Sequence, residues 1–183
     1  MLTYKNPKAK SCEVCQNLFV PDRMGQLVCR PACAMKKVRQ EKVAERAKVK
    51  TRREAIKTLA DLKREAQQAL NRWIVHVRDK DRPCISCGRH HDGAWHAGHY
   101  LSRGAAPQHA LNPLNVWKQC APCNTYLHGN QAAYRAQLVL EIGQAAVEAL
   151  EQDNAPRKWT REELTALRDE YRRKFNEATR RAQ

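Results

Sequence analysis

Large apolar side chains are in short supply: Leu, Ile, Val and Phe together occupy 32 of 183 positions, and Phe occurs only twice. A share under about one fifth gives too little burial for a large enzyme scaffold, and the length suits one or two small domains. Acidic residues are scarce as well, 19 against 34 Lys and Arg, for a formal charge of +15 and a pI near 9.8. That imbalance points to a polyanionic partner, nucleic acid first. Long apolar runs are missing too. The opening MLTYKNPKAK holds nothing suited to secretion, and no run approaches the roughly 18 apolar residues of a bilayer span. A cytoplasmic protein with no membrane attachment is therefore expected.

What the chain does have is cysteine, eight residues in spaced pairs. Few aliphatics with high charge would otherwise read as disorder, and metal staples supply what a thin core lacks. Cytosolic thiols stay reduced, so the pairs read as metal ligands before disulfides. Cys12-x2-Cys15 and Cys29-x3-Cys33 stand 13 residues apart. Two thiolates on a knuckle and two at the start of a helix after Pro31 predict a closed tetrahedral zinc site. The competing reading of this quartet is unligated thiols or a redox pair. Cys84-x2-Cys87, bracketed by Pro83 and Gly88, faces Cys120-x2-Cys123 across 32 residues, room for a strand hairpin. Four thiolates leave no open coordination position, so both zinc ions are expected to be structural.

Charge divides the chain further. Residues 36 to 53 carry nine basic side chains against Glu41 and Glu45, whereas residues 84 to 130 carry three basic and one acidic but six of the seven histidines. From Ala34 to Asp79 neither Gly nor Pro interrupts a run of good helix formers, which predicts helix in one or two pieces. Thr58 and Asp61 have capping-box spacing for a second start. Leu59, Leu62, Ala66, Leu70, Trp73, Ile74 and Val77 then recur at three and four, a face that must pack on something. Val38 to Arg53 shows no such stripe, so it reads as a phosphate-facing or merely solvated helix. Helices are also expected over Gln131 to Ile142 with Gly143 as C-cap, from Gln144 to about Gln152, and from Thr160 to about Ala178. The last is opened by a capping box of Thr160 and Glu163 and a staple of Trp159 on Leu164. Only the histidine-rich region reads as strand and turn.

Within that region stand Trp95-His96-Ala97-Gly98-His99-Tyr100, then Asn115-Val116-Trp117-Lys118-Gln119-Cys120, then Cys123-Asn124 and His128. This order resembles the His-Asn-His nucleases with a ββα-metal finger. Cys-Ile-Ser-Cys-Gly, Ala-Gly-His-Tyr, Ala-Ala-Pro-Gln and Cys-x2-Cys-Asn with a following Gly-Asn are similar, more closely, to the Rap/NinG recombination nucleases of lambdoid phages. The likeness spans essentially the whole chain. It implies His99 as general base, Asn115 as the residue that ties the loop and orients the base, and Asn124 as a ligand of catalytic Mg²⁺ or Mn²⁺. His128, one helical turn after Asn124 if a helix starts at Pro122, is a second ligand or touches the scissile phosphate. The chain departs from the pattern at Gly98, where many such fingers place an acidic ligand, and at His96, where an Asp is expected. His96 is a softer candidate ligand, and it shares a metal with His99 only if Ala97 and Gly98 bend the strand.

The expected fold is α-rich α+β. It comprises an N-terminal zinc module (1–33), a basic helical arm with a possible dimerisation helix (34–80), a zinc-stabilised His-Me finger core (81–130) and C-terminal helices (131–183). The expected function is a metal-dependent, structure-specific DNA endonuclease cleaving branched intermediates of phage recombination, Holliday junctions and D-loops, as a homodimer joined through the face from Ile56 to Val77. Lys48, Lys50, Arg52, Arg53, Arg103 and Lys118 are the candidate phosphate contacts. His90, His91 and His109 are placed on loop tips without a role, His76 on the surface, and Trp73, Trp95 and Trp117 around the zinc. A generic His-Asn-His endonuclease on duplex DNA would share every catalytic residue, and a non-catalytic zinc DNA-binding protein would need only the quartets and the arm.

Overall fold

A computed structural model describes residues 8–181; the first residues of the N-terminal module and the last two of the chain lie outside them. The chain divides into two compact units at Lys57 and Thr58. Among the described residues no helix is long and apolar enough to cross a membrane.

In the first unit β1 (Lys10–Ser11) pairs antiparallel with β2 (Leu18–Phe19), Lys10 opposite Phe19. The helix α1 (Pro31–Ile56) starts with proline in its first turn, where a missing N–H is harmless. Only Cys33 of α1 is buried, while Met35, Val38, Val43 and Val49 are exposed. Length and helix propensity therefore sustain α1, without a core stripe.

The second unit begins at the expected cap. The Thr58 hydroxyl accepts from the Asp61 N–H at 3.1 Å, and the Asp61 carboxylate accepts from the Thr58 N–H at 3.1 Å. It opens α2 (Leu59–Trp73), which widens into a π-type turn over Ile74–Arg78. The hairpin strands β3 (Trp95–His99) and β4 (Val116–Cys120) pair antiparallel, with His96 opposite Gln119 and His99 opposite Val116. After them come a helical turn (Pro122–Tyr126), α3 (Gln131–Ile142), α4 (Gln144–Gln152) and α5 (Arg161–Arg181). Thr160 and Glu163 cap α5 reciprocally, as their spacing predicts.

Two small cores clasp the hairpin. On one side Leu62, Ala66, Leu70 and Ile74 pack with Leu164 and Tyr171 of α5 and with Val116 and Ala97. On the other, Tyr100 and Trp117 pack with Tyr134 and Leu138 of α3 and Val147 of α4. The apolar stripe of α2 is thus consumed by α5 and the sheet and is not a free dimer surface. For the same reason α2 belongs with the hairpin rather than with the arm, which moves the expected boundary from 80 to 57. Trp95 packs on the second cysteine cluster, but Trp117 and Trp73 fill the two cores, Trp73 with Tyr171 at 5.0 Å between ring centroids.

A buried ion pair joins α2 to the sheet. Arg78 forks onto Asp79 at 2.8 and 2.7 Å, and Asp79 accepts from the Lys118 N–H at 3.0 Å. Arg78 also donates to the carbonyls of Pro113 and Val116 and lies over the Trp117 ring.

Candidate functional site

All eight cysteines are free thiols gathered in two groups, Cys12, Cys15, Cys29, Cys33 and Cys84, Cys87, Cys120, Cys123, with the sulfurs of each group within 4.8 Å of one another. A tetrahedron with zinc–sulfur bonds of about 2.3 Å has edges of about 3.8 Å. The Cys15–Cys29, Cys29–Cys33 and Cys87–Cys120 sulfurs stand 3.5, 3.8 and 3.9 Å apart. That is a zinc-sized cage and far too long for disulfides.

The electrostatics fit a cation. Burial raises the Cys12 thiol, but N–H groups of Cys15, Val14 and Cys29 outweigh it and bring Cys12 down to about 6. The neighbouring Cys15 thiol, then burial, push Cys29 up to about 12. Four thiolates this close coexist only around a positive ion. In the second cluster the Cys120 N–H points at the Cys84 sulfur, and the Asn130 amide at that of Cys123. Asn130 and His128 adopt left-handed backbone, φ 46 and 49, as the chain curls around the cage.

On the hairpin the expected site residues separate. Strand side chains alternate between faces, and the register runs unbroken from Trp95 to His99, so no bend brings His96 and His99 to one metal. His96 lies on the face of Gln119 and meets the Asn124 amide at 2.8 Å from its Nδ1. His99 lies on the face of Val116, toward α2. Its Nε2 stands 3.1 Å from the Ala110 carbonyl. A carbonyl only accepts, so Nε2 carries the proton and the lone pair falls on Nδ1. Burial lowers the His99 pKa below the ordinary imidazole range; the Ala110 carbonyl opposes this and the charge of Arg103 adds to it. A neutral ring with a free Nδ1 suits a proton acceptor near neutral pH.

Asn115, fully buried, holds the loop beneath His99. Its Oδ1 accepts from the Leu101 N–H at 2.8 Å, and its Nδ2 donates to the carbonyls of Leu101 and His109 at 3.0 and 3.1 Å. Asn115 thereby ties the segment from Leu101 to His109 to the start of β4. Tyr100, directly after His99, donates to Glu151 of α4, which also receives Arg135 of α3 at 2.8 Å. Burial, then the hydrogen bond to Glu151, pushes the Tyr100 phenol up to about 12.

Gly98 has a steric reason. A Cβ there would lie 2.1 Å from Oε1 of Gln119, whose Nε2 donates to Ser86 and the Gly129 carbonyl at 2.6 Å each. A side chain at that position would have to displace the Gln119 amide from Ser86 and Gly129.

Other expectations need correcting. His128 is exposed beyond the end of the helical turn, so it does not share a helical face with Asn124. Lys118 is buried, its ammonium donating to the Lys80 and Arg82 carbonyls at 2.7 and 2.9 Å, because β4 faces a core on both sides; it is not placed for phosphates. His109 is buried rather than on a loop tip, its Nε2 3.5 Å from Asp153. His91 touches the Cys87 sulfur and the edge of Trp95. His90 and His76 are exposed as expected, as are Arg103 and the arm residues Lys48, Lys50, Arg52 and Arg53. The Arg78–Asp79 pair and Gln119 escape a sequence reading. Two adjacent opposite charges read as surface, and only a strand forced to bury both faces would have exposed them.

The family model described as Bacteriophage Lambda NinG protein matches residues 4–181. The chain is 36% identical to Protein ninG of Escherichia phage lambda, over 93% of this chain and 94% of that protein. It is 37% identical to Protein ninG of Salmonella phage P22, over 90% of each, and 35% identical to that of Escherichia phage 933W, over 93% and 94%. No solved structure matches it.

Proposed function

Because this chain belongs to the NinG family of bacteriophage proteins, we propose that it is a metal-dependent DNA endonuclease of the His-Asn-His type, acting on branched recombination intermediates in the host cytoplasm. The observation that carries this reading is the state of His99, a neutral imidazole whose proton is pinned on Nε2 by Ala110, on a loop tied by Asn115. In phosphodiester hydrolysis Nδ1 would take the proton of the attacking water, and the Asn115 clamp keeps the ring from turning away.

A divalent ion would stabilise the charge developing on the phosphate. His96 and Asn124, the expected ligands, lie on the sheet face opposite His99, so an ion they held would not reach the phosphate that His99 serves. No carboxylate joins them in a metal-sized cluster among the described residues either, so these residues do not fit a catalytic divalent ion, and one serving His99 would be held by water and phosphate oxygens. In a homodimer two such sites would face the two equivalent strands of a four-way junction.

A second reading, a zinc-stapled DNA-binding protein without hydrolysis, is favoured by the placement of His99 and Asn124 on opposite sides of the sheet. Cleavage of a four-way junction and of a linear duplex of the same sequence, with Mn²⁺, Mg²⁺ or EDTA, tests both. Metal-dependent cutting of the junction over the duplex is expected. Equal cutting would favour a generic endonuclease, and binding without cutting the second reading.

A further inference from the structure

A cleft of about 570 Å³ lies between α2 and the loop after β3. Lys63, Arg64, Gln67, Gln68 and Asn71 form its α2 wall, and Arg103 stands across from them. Their spacing of three and four places the α2 residues on one helical face, and no carboxylate lines the cleft. The acidic residues of α2 are engaged elsewhere: Asp61 caps Thr58, and Glu65 receives Arg168 and Arg172 of α5. Arg64 shares Asp61, whereas Lys63 and Arg103 have no carboxylate partner among the described residues. Ala110, whose carbonyl holds His99, completes the wall. The cleft therefore reaches the residue that anchors His99, one hydrogen bond from the imidazole.

We propose that this cleft is the track for the sugar-phosphate backbone of the strand presented to His99. Lys63 and Arg103 neutralise phosphates, and the Gln68 and Asn71 amides donate to phosphate oxygens, contacts that position a strand without reading its bases. From Lys63 to Asn71 the wall is about 12 Å long, the rise of roughly three nucleotides of one strand. The nature of the ligand, DNA, rests on the nuclease reading. The assignment of this surface does not require cleavage.

The test is a Lys63→Gln, Arg103→Gln double variant, with Lys63→Arg, Arg103→Lys as its charge-preserving counterpart and Lys158→Gln, Arg180→Gln as a charge-matched control. Binding to a four-way junction and a linear duplex is measured by fluorescence anisotropy across a salt series, after melting and zinc content confirm the fold. The slope of log Kd against log salt should fall by about two units in the first variant only. The affinity lost between about 50 and 200 mM salt should then shrink about tenfold. An unchanged slope, or an equal fall in the control, overturns the proposal. Wild-type protein that binds but fails to cut would refute the nuclease reading and leave the cleft standing. Wild-type protein that binds no DNA would overturn both.

Discussion

The two units solve the same folding problem with unequal means. Each is built on four cysteines, but the first adds a two-residue-wide hairpin and a helix that buries only Cys33. The second adds two apolar cores that clasp its hairpin, a largely buried Arg78–Asp79 pair and capped helices. In the first, the cysteine cluster is nearly all the tertiary structure there is. In the second it is one support among several. The difference teaches that a repeated motif does not imply a repeated energetic role.

The largest effect should come from removing zinc. Structural zinc contributes on the order of 10–16 kcal/mol of apparent binding energy to such modules. Cys33→Ser should therefore abolish folding of the first unit outright. Cys123→Ser should lower the melting temperature of the second and release one zinc while leaving part of its helical circular dichroism. Zinc stoichiometry and amide exchange read out by unit check this, and equal loss in both would break the comparison.

His99→Ala should lower cleavage by about 10² to 10⁴ with junction binding nearly intact, since a general base contributes about that much. Retention of more than a tenth of the turnover in folded protein would take His99 out of the role. Asp79→Ala leaves the partly buried Arg78 without its carboxylate partner and the Lys118 N–H without its acceptor, and should destabilise the second unit by about 1–3 kcal/mol, visible in urea unfolding, without touching the first.

Smaller effects sharpen the contrast in charge. Lys48, Lys50, Arg52 and Arg53 replaced by Gln should reduce the salt slope of binding by about two to four units, while turnover on saturating DNA survives. An unchanged slope would make α1 a solvated helix. Acidity gives the finest test. The His99 pKa is depressed, so the neutral ring is present above it and is lost only as pH falls through a value below the ordinary imidazole range. Cleavage should keep its plateau into mildly acidic solution. Arg103→Gln should move the acid limb upward, toward the ordinary value, because the opposing charge is gone.

The legible part of this molecule was local. Knuckle spacings announced both cages, and Thr58 with Asp61 and Thr160 with Glu163 announced two helix starts. Gly143 marked the break between α3 and α4. The face of α2 was legible as a face, but its partner was not. Reading Lys118 as a phosphate ligand failed because a lysine in a strand looks exposed until both sides of that strand are known to be covered.

The sequence by itself determined the four cysteine knuckles, the capped helix starts and the surplus of positive charge, since each depends on residues within about four positions of one another or on composition alone. Only the tertiary structure decided that His96 and His99 face opposite ways, that Gly98 makes room for Gln119, and that Ala110 fixes the tautomer of His99. It also decided that Lys63 of α2 and Arg103 share one cleft. These facts follow from strand register and from what packs on each side of the sheet, contacts between segments far apart in the chain, which no local pattern records.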